Sequence, residues 1–336
     1  MSPDQPRIKT TVVGSYPVPD WLVALPSEQA LIDATRTIIN TQETAGLDVV
    51  CDGELYRFDI NHPETNGMIE YFTRPMDGIR NESTFQEVLE YRRQKGMDFR
   101  AQPPGVVDGP VGHGTLDLPY AAMRARRLTK RPLKFTLTGP HMLAKTLINE
   151  HYGDVPELAM AIASVLAEQV RHVEADVIQV DEANLPGSPD EWEWAAEAIN
   201  LVLDAVRTTP AVHLCFGNYG GQSIQEGTWK NLINYLNCLH TDHIVMENAH
   251  RPIEELEVFK DLDPKIGLGL GVVDIKRNDV ESPEAIARSL ERAEKLVGER
   301  RITYINPDCG FWMLPRSVAD AKIRTLVEGR DLYESR

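Results

Sequence analysis

The sequence predicts an α/β protein: a single (β/α)8 TIM barrel over residues 1–336, with an insertion near the barrel mouth. Three observations predict it. Short apolar, β-branched runs recur along the chain. They alternate with amphipathic helical segments, the pattern of parallel βαβ units. The first run also lacks the glycine-rich phosphate turn of an open doubly wound sheet, since residues 10–17 hold only Gly14.

The candidate strands are 10–15, 48–51, 105–107, 134–138, 176–180, 211–216, 243–246, 265–273 and 302–306. Nine candidates are one too many for the barrel. The run 105–107 is set aside as an accessory hairpin, because it sits between Pro103-Pro104 and a glycine-rich loop. A helix is expected over 156–175, where Leu158, Ile162, Leu166 and Val170 fall on one stripe. Another starts at Ser282-Pro283, an N-cap followed by a first-turn proline, and runs to Val297 with Ile286, Leu290 and Leu296 facing inward. Residues 57–110 are the least barrel-like and are read as an insertion, or lid, over the mouth.

With 336 residues and 42 % apolar composition, the chain can bury a large core. No run approaches the ~20 apolar residues of a membrane span, and residues 1–9 lack the apolar centre of a signal peptide. A cytoplasmic protein is expected. The formal charge of −16 argues against a nucleic-acid surface. The basic stretch 124–131 reads as a solvated face. Four scattered cysteines are too few for a disulfide framework, so each is a free thiol or a metal ligand. Cys238, flanked by Leu236 and Leu239, is expected to be buried and inert.

In a parallel barrel the chemistry lies where the strands end. The strand ends carry Gly14-Ser15, Asp52 and Glu54, Thr138-Gly139-Pro140, Asp181-Glu182, His213 and Cys215, Glu247-Asn248, Asp274 with Lys276, and Asp308-Cys309. A lone strand His or Cys is usually a core residue. The His213-x-Cys215 spacing changes that, because residues i and i+2 of a strand point to the same side. Cys309 lies 94 residues beyond Cys215, so any shared site is assembled by the fold rather than by a local knuckle. His213, Cys215, Cys309 and Glu247 therefore read as one Zn2+ site. Thiolate-rich zinc suits alkyl transfer to a thiol, whereas water activation favours His and carboxylate ligands. A zinc hydrolase and a metal-free, decarboxylase-like barrel are the competing readings.

The motifs T-T-V-V-G-S-Y-P (10–17), D-G-E (52–54), L-T-G-P (137–140), I-Q-V-D-E (178–182), H-L-C (213–215), M-E (246–247) and N-P-D-C-G (306–310) resemble, in order, the catalytic half of cobalamin-independent methionine synthase. This family shares a superfamily with uroporphyrinogen decarboxylase-like barrels and epoxyalkane:coenzyme M transferase. The resemblance implies a barrel with zinc on His213, Cys215, Glu247 and Cys309. It implies homocysteine as acceptor, its carboxylate held by Gly14 and Ser15 with Val13 beside them, and its amino group by Glu54 and Asp181. Glu54, Asp181 and Lys276 are the expected catalytic residues.

Three departures accompany the resemblance. The chain has no duplicated N-terminal barrel. It reads His141-Met142 where the family places a folate-facing tryptophan. It has Lys276 where the full-length enzyme has a proton-handling histidine. The implied methyl donor is thus methylcobalamin, as on a corrinoid protein, or methyltetrahydrofolate. A thiol alkyltransferase of the coenzyme M type, with Arg57, Lys276 and Arg277 as candidate sulfonate partners, is the alternative.

Overall fold

The computed structural model describes residues 7–59, 61, 65, 67–93, 100, 102–217 and 225–335. Its strands are β1 (Lys9–Thr10), β2 (Val50–Cys51), β3 (Asp77–Arg80), β4 (Val106–Gly112), β5 (Leu133–Thr138), β6 (Ile148–Asn149), β7 (Val177–Asp181), β8 (Thr209–Leu214), β9 (His243–Met246), β10 (Gly267–Val273) and β11 (Ile302–Pro307). Eight form one curled sheet in the order β1-β11-β10-β9-β8-β7-β5-β2, and every pairing in it is parallel. Thr11 and Val49 add an isolated parallel bridge between the ends of this order. The expected accessory run is β4, which pairs antiparallel with β3 and parallel with β6 in a separate three-stranded sheet.

The helices between the strands start and stop where their sequences dictate. Ser27 caps Glu28–Ala45 by accepting from the Ala30 amide, and Gly46 ends it in the left-handed conformation at φ 90°. Asp154 caps Val155–Val170 and Ser282 caps Pro283–Val297 in the same way. The expected helix 156–175 therefore stops five residues early. Val173 and Ala175 prolong its apolar pattern because they remain buried in the turns leading to β7. Cys238 corrects an expectation: it is exposed. It stands at the C-cap of the short helix Ile233–Asn237, where Leu236 and Leu239 take the inner face.

The sheet separates two cores. The larger one packs strands against helices; Ile178, Val180, Val212, Leu214, Ile244 and Met246 contribute to it. A smaller cluster of Val13, Val49, Val177, Ala211, Val245 and Tyr304 occupies the other face. By the two-residue alternation of strands, this inward face continues through Gln179 to Asp181, through His213 to Cys215, and from Val245 to Glu247. Toward the C-terminal ends of the strands, the inward positions thus change from apolar to polar. Among the described residues, no helix is long and apolar enough to cross a membrane.

Candidate functional site

The strand ends converge on a cleft of about 880 Å³, including its open mouth. Ser15, Glu54, Asp181, His213, Cys215 and Cys309 all line it, with Val13, Met68, Ile69 and Met142 as apolar wall.

One side of the cleft holds soft ligand atoms. A ligand atom from each of His213, Cys215 and Cys309 lies within 4.8 Å of the others. The two sulfurs are 3.8 Å apart. His213 Nδ1 stands 3.0 Å from the Val245 carbonyl, which only a protonated Nδ1 can satisfy. That bond leaves Nε2 as the bare nitrogen, and it is buried without a hydrogen-bond partner among the described residues. The close sulfurs share protons unequally. The neighbouring Cys215 sulfur, then His213, holds Cys309 well below the ordinary thiol value; the same contact and burial push Cys215 well above it. For His213, burial opposes the charged form, but Cys309 and Asp181 outweigh it and raise its pKa. A buried bare imidazole nitrogen beside two sulfurs is a donor set that suits zinc.

Glu247 lies at the end of β9 but outside this three-residue group. It is fully buried and Oε2 has no hydrogen-bond partner among the described residues. Three basic side chains approach it: Arg251 at 3.5 Å, Lys276 at 3.6 Å and His250 at 3.7 Å. Burial still raises its pKa, with Lys276 opposing. Lys276, expected as catalytic, thus stands beside Glu247 and not among the residues lining the cleft.

The opposite side of the cleft carries the two carboxylates. Glu54 follows Gly53, and both take left-handed backbone conformations at φ 59° and 74°. The tight D-G-E turn is held by Asp52 Oδ1, which accepts from the Glu54 amide at 2.8 Å. A side chain at Gly14 would put its Cβ 2.0 Å from Glu54 Oε1, so glycine there makes room for the carboxylate. Glu54 Oε1 accepts from Thr136 Oγ1 at 2.5 Å, and Oε2 pairs with Arg57 at 3.1 Å. Asp181 Oδ1 accepts from Gln179 Nε2 at 2.7 Å, while Lys134 Nζ donates to Gln179 Oε1 at 2.9 Å. Burial, aided by Glu54 and opposed by His213, pushes Asp181 up to about 7.

Arg57, a candidate sulfonate partner in the sequence, has a fully buried side chain paired with Glu54. This partner of Glu54 was missed in the sequence, as were Thr136, Lys134 and Gln179. A signal existed. In L-K-F-T-L-T the polar residues fall on alternate positions, so a strand buried throughout sends Lys134, Thr136 and Thr138 to one face. Lys134 Nζ donates to the Val12 carbonyl and Gln179 Nε2 to the Val13 carbonyl. These side chains take the place of strand partners, which explains why β1 is shorter than the expected 10–15. Residues 57–110 contribute Met68, Ile69 and a buried Arg100–Glu70 ion pair to the cleft wall.

Residues 8–330 match the family model described as cobalamin-independent synthase, catalytic domain. The methionine synthase of Thermococcus kodakarensis is 30% identical over 97% of this chain and 94% of its own length. That of Sulfurisphaera tokodaii is 30% identical over 96% and 92%. Among solved structures, the B12-independent methionine synthase from Shewanella sp. W3-18-1, in complex with selenomethionine, superposes with a TM-score of 0.79 at 24% identity, covering 98% of each chain. The putative vitamin-B12 independent methionine synthase from Listeria monocytogenes gives 0.69 at 16%, covering 95% and 96%. At these identities the structures speak for the fold.

Proposed function

Since the chain belongs to the cobalamin-independent methionine synthase family, we propose that it is a methyltransferase that methylates the sulfur of homocysteine to give methionine. One observation carries this reading. Three soft ligand atoms within 4.8 Å share a cleft with two buried carboxylates, so a single small molecule can present a sulfur to one side and an ammonium to the other. We read the curled sheet as the (β/α)8 barrel, with Met68, Ile69, Glu70 and Arg100 of the 57–110 insertion lining its mouth.

Zinc, held by His213, Cys215 and Cys309 with Glu247 as a fourth ligand, would lower the pKa of a bound thiol while leaving its sulfur nucleophilic. The protein's own residues do the rest. Glu54 and Asp181 bind the amino group and fix the amino acid. Ser15, with the Gly14 backbone and Val13 beside it, receives the carboxylate. Arg57 and Thr136 keep Glu54 from rotating away. The buried wall of Val13, Ile69 and Met142 excludes water, which would otherwise solvate the thiolate and compete for the methyl group. Positioning supplies much of the rate. Lys276 orients Glu247, the contact its placement allows.

The coenzyme M alternative is not favoured. A sulfonate needs a free cation. Arg57 is committed to Glu54 and Thr136, Lys276 faces Glu247, and Arg277 is three-quarters exposed near Asp274. The decisive experiment loads the protein with zinc and offers homocysteine or coenzyme M. The donors are methyltetrahydrofolate and methylcobalamin, free or on a corrinoid protein. Methionine is the expected product. No homocysteine binding and no methionine from any donor would end this reading.

A further inference from the structure

The helices Glu28–Ala45 and Leu118–Arg126 leave a cavity between them, of about 570 Å³ with its open mouth. It shares no lining residue with the cleft that holds the ligand cluster. Leu31, Ile32, Ala121, Ala125 and Leu128 make most of its wall apolar. Three tyrosine rings join them. Tyr56 and Tyr71 meet edge-on with centroids 5.0 Å apart, and the more exposed Tyr120 stands at the rim.

Two charged side chains stand in this lining, Asp52 and Arg124. Asp52 is 4% exposed. Its Oδ1 accepts from the Glu54 amide at 2.8 Å, while its Oδ2 is buried without a hydrogen-bond partner among the described residues. Arg57, the cation that favours its charge, is committed to Glu54 and Thr136. A carboxylate oxygen left unpaired beside an apolar space is costly unless something else meets it. Arg124 is half-buried, and its guanidinium lies 5.6 Å from the centre of the Tyr120 ring. Its ion pair with the exposed Glu28 spans 3.9 Å, too long to engage the guanidinium's donors.

We propose that this cavity is a second ligand site, outside the cleft of the ligand cluster, for a small zwitterion: an ammonium and a carboxylate joined by an apolar body, the chemistry of a free apolar amino acid. The ammonium gives Asp52 Oδ2 the hydrogen bond it lacks. The tyrosine faces favour a cation through the negative charge of their π systems. At the rim, the Arg124 guanidinium takes the carboxylate in paired hydrogen bonds. A plain amine would set a cation beneath Arg124 with nothing to offset it. A plain carboxylic acid would bring a second anion toward Asp52. A molecule that carries both charges answers both ends, and its body packs on the apolar wall. The occupant never enters the other cleft, yet it touches the D-G-E turn, because Asp52 holds the Glu54 amide with its other oxygen.

The test titrates four probes into the purified protein by calorimetry: leucine and 5-aminovalerate, which carry both charges, isoamylamine, which lacks the carboxylate, and isovalerate, which lacks the ammonium. At least one zwitterion should bind, and both singly charged probes should bind roughly tenfold or more weakly than it does. Arg124→Ala and Asp52→Asn should each weaken the zwitterion roughly tenfold or more. Arg124 lies at the rim, so its alanine variant tests the site even where Asp52→Asn fails to fold. Asp181→Asn, in the other cleft, separates the two places and should leave this binding within a few-fold of wild type. No zwitterion binding, zwitterion binding unchanged by Arg124→Ala, binding lost only with Asp181→Asn, or isoamylamine as tight as either zwitterion would each overturn the proposal.

Discussion

The two sides of the cleft are finished to different degrees. On the carboxylate side, both oxygens of Glu54 are engaged, by Thr136 and Arg57, and Asp181 is held by Gln179, itself held by Lys134. On the ligand side, His213 Nε2 and Glu247 Oε2 are buried without hydrogen-bond partners among the described residues. Unmet lone pairs in a buried site are costly unless something else meets them. Asp52 Oδ2 and Arg57 Nε are unpaired among the described residues as well, so the difference lies in the groups that would touch substrate: Glu54 and Asp181 are held by protein partners, while His213 Nε2 and Glu247 Oε2 are left for the ion of the function proposed above. In the function proposed above, this arrangement would divide the labour of recognition, the carboxylate side selecting an amino acid and the ligand side a sulfur.

The strongest way to break the comparison is to remove a ligand. Cys309→Ser should strip stoichiometric zinc and reduce methyl transfer by more than the roughly 10–100-fold typical of changes just outside a metal's ligands. Metal analysis beside turnover checks this, and equal zinc in variant and wild type would take Cys309 out of the site. Arg57→Met attacks the other side. It leaves Glu54 buried beside no cation and should cost about 3–5 kcal/mol of stability in urea denaturation, with zinc binding by the refolded protein retained. A denaturation midpoint like the wild type's would show that Thr136 suffices.

A finer test is pH. Burial raises Asp52 from its ordinary 3.8 to about 6. A carboxyl with a raised folded value gives up stability as pH climbs from about 4 to about 6, and that gap corresponds to at most roughly 3 kcal/mol. Asp52→Asn keeps an oxygen for the Glu54 amide and should therefore be more stable than wild type at pH 8. At pH 3 the two should be nearly equal. A variant that is weaker at pH 8 would mean that the charge on Asp52 is needed to hold the turn. The smallest effect belongs to Cys238→Ser. That exposed thiol should leave stability within about 0.5 kcal/mol and metal content untouched.

The strands and the ligand cluster were legible in the sequence for a common reason. Both depend on local spacing: β-branched runs set the strands, and His213-x-Cys215 puts two ligands on one face. The expected boundaries of 243–246 coincide with β9, and the Ser282-Pro283 start of its helix is observed. What escaped is what spacing does not encode. Lys134 bonds a carbonyl 122 residues away, and Arg57 finds Thr136 79 residues on. A buried lysine in a strand looks in sequence like an edge or surface residue; only the closing of the sheet shows that it holds Gln179 and the end of β1. Glu247 teaches the converse. Its motif reads as a ligand, but spacing gives no sign of the three basic side chains that approach it from β9's own loop and from the loop after β10.

The Thr11–Val49 bridge has a mechanical consequence. Every other seam of the sheet pairs as a ladder, whereas this one is a single bridge backed by irregular bonds: the Asp48 and Val49 amides donate to the Thr10 carbonyl, and Asp48 Oδ2 accepts from the Thr10 amide. The site straddles this seam, with Ser15 beyond one lip and Glu54 beyond the other, and the Tyr16 amide, donating to the Gly53 carbonyl, ties the lips together. Breathing at this joint would widen the amino-acid side of the cleft while the ligand side, carried by fully laddered strands, stays rigid. A bound amino acid, by lashing the two lips together, should therefore slow amide hydrogen exchange at Tyr16, whose amide spans them to the Gly53 carbonyl.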